Sequence, residues 1–378
     1  MISQIDQTIY RLNNLDKLQE KLNFQHGGKK LQHGSDDSVL FGRITSAEGK
    51  IRTYEGIKTQ IERTQVQNNT ADAAMGSMIE ALRTVKSELM KANTSTTNDE
   101  NLKAIAVNIN GIRENLFTLV NTNTEGEYVF AGSDSSIKPF VKDANGNITY
   151  EGDNRLRKVA VEEGSYRERG VNGFDVMFFT SSSATKGDVL SFSANDRILD
   201  QNGNEWVLNS PTNDTLTKMN KDGTATTETL AVTAPVAPDT NYSVTLPNTD
   251  GTSFEAKTNI FDLLQDIVNT LNMKDENGNA ITRDEVMQKL STQIENIDKS
   301  FDSVNISHAD LGAKNKVFEN SLDLMTSKIT QYKILETNLS SSDYTELALQ
   351  AKSLELTYAA MYSTVMRTQE LSLVNYMK

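Results

Sequence analysis

The chain has 378 residues, no cysteine and a formal charge of −13 at pH 7. Without cysteine there are no disulfides, zinc–thiolate sites or cysteine nucleophile, and the acidic balance argues against nucleic acid, whose phosphates need clustered Lys and Arg. Aromatic residues make up 7% of the chain and its mean hydropathy is −0.49. This suits long helices with narrow apolar seams better than one large core, and the length allows two or three domains. The opening MISQIDQTIYRLNNLDKL is polar at every second or third position, unlike the continuous apolar core of a signal peptide. No run of about 18 apolar residues occurs. The expectation is a chain that stays out of the membrane and is cytosolic, or exported without a cleavable signal.

The elements follow from periodicity. Ile2, Ile5, Ile9, Leu12, Leu15, Leu18 and Leu22 recur at helical spacing, and Gly27-Gly28 ends that helix. Ser35-Asp36-Asp37-Ser38 reads as a turn leading into a new N-cap. A second helix is expected from about 39 to 93, with polar residues interrupting its seam at 65–70, and a third from about 100 to 123. The character changes at Gly126 towards strand composition. Asn145-Gly146, Asn202-Gly203 and Asp250-Gly251 are hairpin signals, and residues 135–255 are expected to be mostly β. All five prolines lie between 139 and 247. The Thr-, Ala- and Asn-rich stretch 210–240 predicts loops and a small edge-like β region. Helix returns at 260–271, and a very long helix starts near Arg283. Ser340–Asp343 breaks it, and Asp343 with Glu346 reads as a capping box. The last helix carries the heptad Tyr344, Leu347, Ala351, Leu354, Tyr358, Met361, Val365 and Thr368.

The fold class expected is α + β: an elongated helical bundle or coiled coil formed by the N- and C-terminal regions, with an inserted, mostly antiparallel β domain. Three layers are expected. Residues 1–44 with 340–378 form a terminal coiled-coil layer, 45–134 with 258–339 a helical bundle, and 135–257 an outward-facing β-rich insert. The matching breaks at Gly27–Gly34 and Ser340–Asp343 separate the first two layers.

No residues announce catalysis. Asp-x-Asn-Gly-Asn occurs at Asp143–Asn147, Asp200–Asn204 and Asp275–Asn279. A calcium loop would add Gly at the sixth position and Glu at the twelfth; the sixth residues are Ile148, Glu205 and Ala280, so a turn is expected instead. Asp36-Asp37 beside His26 and His33 is best read as a solvated helix start, and His308 as a surface residue. Nucleotide-binding, zinc-protease and hydrolase motifs do not occur. No catalytic, cofactor-binding or metal residue is assigned. The heptad side chains Tyr344, Leu347, Ala351, Leu354, Tyr358, Met361 and Val365, with Ile2, Ile5, Ile9 and Leu12, are the candidate assembly interface. That stripe fits equally the core of an intramolecular helix pair or a seam between subunits.

Several short segments resemble one family. They are GKKLQHGSDDSVLFGR around Ser35, Asp36 and Asp37; GEYVFAGSDSSIKPF with Tyr128, Phe130, Ala131, Gly132, Pro139 and Phe140; ITYEGD; and the ending from Tyr358 to LSLVNYMK. In this order they resemble the flagellar hook-associated protein 3 family, hook–filament junction proteins related to flagellin. One departure is Ser38, where the family often has proline. The resemblance implies a structural flagellar subunit that forms a ring of like subunits. It also implies another hook-associated protein, flagellin and an export chaperone as partners, and type III export to the flagellum without a cleavable signal. No nucleic acid and no membrane are expected as partners. Alternatives are a flagellin filament subunit, or a carbohydrate-active or adhesive middle domain resting on such carboxylates as Asp196, Asp200 and Glu205.

Overall fold

A computed structural model describes residues 2–94, 97–220, 224–236, 241–275 and 278–376; the side chains of 2–5 and 368–376 lie outside the described set. The α + β class is borne out, with helices from both terminal regions and an inserted antiparallel β region. The chain divides into two compact units, residues 1–59 with 322–378, and residues 60–321.

The first unit contains α1 (Ile2–His26), the start of α2 (Ser38–Ala92), the end of α6 (Arg283–Ser340) and α7 (Tyr344–Tyr376). Helix α1 stops because Gly28 adopts φ +92°, which L side chains rarely do. Helix α2 starts on Asp37, whose Oδ1 accepts from the Leu40 amide at 2.9 Å. Helix α7 starts on Asp343, whose Oδ1 accepts from the Thr345 amide at 2.8 Å and the Glu346 amide at 3.3 Å. These carboxylates satisfy amides that the first helical turn leaves unpaired. The reciprocal half of the expected capping box is not made. The Glu346 carboxylate instead accepts from Gln350 Nε2 at 3.0 Å, one turn along the same helix.

The two breaks meet. Lys29 and Ser341 form an antiparallel bridge, the Lys30 amide donates to the Ser340 carbonyl at 2.7 Å, and the Ser342 amide donates to Gly28 at 3.2 Å. Beyond them α1 and α7 pair around Leu22, Leu347 and Leu354, flanked by Leu15 and Tyr358. Elsewhere in this unit Tyr54 of α2 stacks obliquely on Tyr332 of α6 at 5.6 Å, and Lys333 pairs with Glu55 at 2.7 Å.

In the second unit the rest of α2 and α6 packs with α3 (Asp99–Val120) and α5 (Ile260–Leu271). Met75, Met78, Leu82 and Leu89 face Leu102, Ile109 and Leu116, and Val286, Leu290, Ile297 and Val304 close the core. The polar stretch expected at 65–70 does not break α2. Its buried Asn68 donates to Asn315 Oδ1 of α6 at 2.7 Å, and its buried Gln67 donates to Glu127 at 2.6 Å.

Three small hairpins precede the main sheet: β1 (Asn123–Thr124) with β2 (Glu127–Tyr128), β3 (Phe140–Lys142) with β4 (Ile148–Tyr150), and β5 (Lys158–Glu162) with β6 (Ser165–Glu168). A one-and-a-half-turn helix α4 (Gly173–Met177) then leads into eight strands. These are β7 (Phe178–Thr185), β8 (Val189–Phe192), β9 (Arg197–Asp200), β10 (Glu205–Leu208), β11 (Thr215–Met219), β12 (Ala225–Thr233), β13 (Tyr242–Thr245) and β14 (Ser253–Asn259). They are ordered β7-β14-β9-β10-β11-β12-β13-β8, antiparallel throughout. Sequence neighbours β7 and β8 stand at opposite ends of this order, so the sheet wraps around its own core of Leu190, Phe192, Ile198, Trp206, Leu216, Val244 and Phe254. The stretch 210–240 contributes β11 and β12 to the middle of this order, more regular sheet than its composition suggests.

In each Asp-x-Asn-Gly-Asn repeat the aspartate carboxylate accepts from the amide of the closing asparagine. Asp143 Oδ1 accepts from the Asn147 amide at 2.8 Å, Asp200 Oδ1 from Asn204 at 2.9 Å, and Asp275 Oδ1 from Asn279 at 2.7 Å. Each carboxylate is thus engaged by its own turn.

Candidate assembly surfaces

The family-like motif at 128–140 folds into a knuckle of the second unit. Phe130 and Ala131 are buried, and the chain reverses at Gly132 with φ +91°. A Cβ there would lie 2.3 Å from Asp153 Oδ1 and 2.5 Å from the Asp153 carbonyl, so only glycine fits. The Asp153 carboxylate accepts from the Ser133 amide at 2.8 Å and from the Ser133 hydroxyl. The Tyr150 hydroxyl donates to the Asp153 carbonyl at 2.7 Å. Phe140 stacks obliquely on Tyr150 at 5.0 Å and meets Phe261 of α5 edge-on at 5.4 Å. The Pro139 carbonyl accepts from the Glu151 amide at 2.8 Å, and the Tyr128 amide donates to Ser135. Segments 128–140 and 148–153, which sequence places apart, are therefore one packed feature.

This knuckle joins the wrapped sheet to the helices. Arg197 of β9 lies over Tyr150, Phe174 and Phe178 at 5.6–5.8 Å and pairs with Glu205 at 3.1 Å. Ser303 and Ser307 of α6 donate to the carbonyls of Phe178 at 2.9 Å and Asp175 at 2.7 Å. A polar cluster adds to it: Glu127 receives Arg169 at 3.1 Å and Arg157 at 3.5 Å, and Arg169 donates to Gln67. Sequence reading missed this cluster, because its members are spread over a hundred residues, from Gln67 to Arg169, and share no spacing pattern. Buried Arg113 of α3 donates to the carbonyls of Gly146 at 2.8 Å and Phe261 at 3.4 Å. Burial and the neighbouring Asp196 raise the Asp262 carboxyl to about 6, opposed by Arg113.

The carboxylates considered for chemistry have structural duties. Asp196 accepts from Thr258 Oγ1 at 2.6 Å and the Ser193 amide at 2.8 Å, and burial raises its pKa. Asp200 fills its turn and receives the Trp206 indole at 3.3 Å. Asp36 Oδ2 accepts from the His33 amide at 3.0 Å, which holds its pKa below the usual carboxylate range, and Ser35 is an exposed turn residue beside it. His26 packs near Tyr344, with ring centroids 6.3 Å apart. Among the described residues no group of three or more His, Cys, Asp or Glu is placed to hold a metal.

The candidate interface residues of the first unit separate by face. Leu347 and Leu354 are buried against α1, and Tyr358, Met361 and Val365 are half-buried. The Tyr358 hydroxyl donates to Asp16 at 2.6 Å, and that bond raises it to about 12. Tyr344 and Ala351 are exposed. On α1, Leu12 is half-buried and Ile9 is exposed. The side chains of Ile2, Ile5 and Thr368 lie outside the described residues, as do all those of the LSLVNYMK ending.

The fold is thus one of helical terminal regions carrying an inserted antiparallel β region. Residues 3–135 match the bacterial flagellin N-terminal helical region. Flagellar hook-associated protein 3 of Salmonella typhimurium is 24% identical over 123 residues, which cover 30% of this chain and 36% of that protein. The chain's match thus spans about a third of that relative's length. Xanthomonas campestris FlgL superposes with a TM-score of 0.53 at 18% identity, covering 77% of this chain and 99% of that one. Hook associated protein-3 from Legionella pneumophila gives 0.54 at 17%, covering 78% and 98%. At these identities the structural likeness is one of fold. The resemblance to the hook-associated protein 3 family is borne out at that level.

Proposed function

We propose that the chain is a structural subunit of the bacterial flagellum at the hook–filament junction. Its terminal helices assemble with like subunits into a ring, joining another hook-associated protein to the flagellin filament. The observation that carries this reading is the shared fold over three-quarters of the chain with hook-associated protein 3 structures. The α1/α7 pair supports it: among the described side chains of these helices of 25 and 33 residues few are buried between them, which is little for independent stability. In this reading residues 1–44 with 340–378 form the terminal coiled-coil layer, 45–134 with 258–339 the bundle, and 135–257 the outward insert. Export through the flagellar type III channel, aided by a chaperone, delivers it. It carries no catalytic step.

The test is electron microscopy of a deletion strain. Hooks without filaments, with flagellin shed into the medium, are expected; intact filaments would refute the junction role. A filament subunit is the second reading, since residues 3–135 match a flagellin region. Long filaments grown from the purified chain alone would establish it instead.

A further inference from the structure

Each Asp-x-Asn-Gly-Asn turn sets an asparagine directly before a glycine, and asparagine in such a place is chemically labile. With no side chain to shield it, the glycine nitrogen can attack the asparagine side-chain carbonyl carbon. That step forms a bond from the glycine nitrogen to Cγ, breaks Cγ–Nδ2, expels ammonia and closes a five-membered imide. Water then opens the imide at either carbonyl. The products are aspartate and isoaspartate; in the second the main chain runs through Cβ and Cγ and gains one methylene.

Two of the turns differ in how firmly they hold the reacting atoms. Asn145 and Asn202 are both exposed, and among the described residues neither side-chain amide makes a hydrogen bond. The Gly203 amide donates to the Asp200 carbonyl at 2.9 Å, and the Gly146 amide to the Asp143 carbonyl at the longer 3.2 Å. The Asn202 turn joins β9 to β10 inside the eight-stranded sheet. Asn204 Nδ2 at 2.9 Å and the Trp206 indole at 3.3 Å donate to its Asp200 carboxylate, and Gln201 Oε1 accepts from the Ser253 amide of β14 at 3.3 Å. The Asn145 turn joins β3 to β4, a two-stranded hairpin with three residues on each side. Ring closure needs the turn to open, and a short hairpin opens more readily than a turn tied into a wide sheet. Asn277 of the third turn lies outside the described residues.

We propose that Asn145-Gly146 is a site of spontaneous deamidation, modified ahead of Asn202-Gly203, and that isoaspartate there disturbs the core of the 60–321 unit. The Gly146 carbonyl accepts from buried Arg113 of α3 at 2.8 Å. Two residues on, the carbonyl of buried Ile148 accepts from Asn259 Nδ2 at 2.9 Å, and Asn259 Oδ1 caps α5 by accepting from the Phe261 amide at 3.0 Å. An extra main-chain methylene at position 145 lies just ahead of both anchors. It moves Gly146 off Arg113, and a buried guanidinium that loses an acceptor destabilises the fold.

The test incubates the purified full chain at mildly alkaline pH and follows deamidation by peptide mass mapping, with isoaspartate methyltransferase labelling of the product. Each rate is taken relative to that of the same position in urea, where only local sequence acts. Position 145 should then react about fivefold or more faster than position 202 in the folded chain. Equal relative rates, a faster position 202 or an unmodified position 145 would overturn the assignment. Once position 145 is modified, the aged chain should unfold at a lower urea midpoint than unaged Asn145→Asp, which adds the charge without the methylene. Asn145→Gln aged alongside should keep its midpoint. Matching midpoints for the aged chain and Asn145→Asp would overturn the link to the core.

Discussion

At Gly132 the requirement for glycine has two causes that add: a left-handed backbone and a carboxylate within 2.5 Å of any Cβ. Gly132→Ala should destabilise the 60–321 unit by about 2–4 kcal/mol, measurable as a lower urea midpoint of the full chain. A midpoint within experimental error of the unsubstituted protein would mean that the knuckle relaxes at no cost. Asp262 titrates against burial and Asp196. Its folded pKa, about 6, lies above the ordinary 3.8, so the folded state favours the protonated carboxyl. Stability should therefore rise as pH falls from about 6 towards 4. Asp262→Asn should stabilise by about 1–2 kcal/mol at pH 8, after allowance for partial exposure, and have almost no effect at pH 4. Thermal unfolding at the two pH values checks this; an equal effect at both would remove the titration as its cause.

At the scale of elements, caps and turns do what short-range chemistry requires. Asp343→Ala should cost about 1 kcal/mol of α7 stability by leaving the Thr345 and Glu346 amides unaccepted, read as a smaller helix signal at moderate temperature. Leu354→Asp should separate α1 from α7, since Leu354 is, among the described residues, one of three buried side chains in their shared cluster. Amide exchange in α1 should then accelerate; protected α1 amides would show that the pair persists. These element boundaries were legible because glycine, aspartate and heptad spacing act over a few residues. The wrapped sheet was not. The neighbours of β9 are β10 and β14, the latter more than fifty residues away in sequence, and the Thr-rich strands between carry weak apolar alternation.

At the scale of the molecule, the division of charge sets the conditions for association. Residues 1–59 hold nine basic and seven acidic side chains, and 322–378 hold five and six, so of the formal −13 the 60–321 unit carries −14. Copies bearing that charge should associate more readily as salt screens them. Sedimentation of the full chain in rising sodium chloride should show increasing oligomer, and oligomer that dissolves with salt would contradict the repulsion. Removing residues 344–378 should leave the 60–321 unit folded, because its core is its own, and should abolish incorporation into flagella. Motile cells carrying only that truncation would end the assembly reading.

The sequence by itself determined the helical ends, their paired breaks, the Asp-x-Asn-Gly-Asn turns and the family resemblance, because each rests on residues close together in the chain. The tertiary structure alone decided that the two breaks bridge each other and that Asp153 makes Gly132 obligatory. It also decided that the heptad of α7 is partly spent on α1. A period of three and four places side chains on one face, but it cannot say whether the neighbour on that face is the same chain or another. That depends on which distant segments return to pack there.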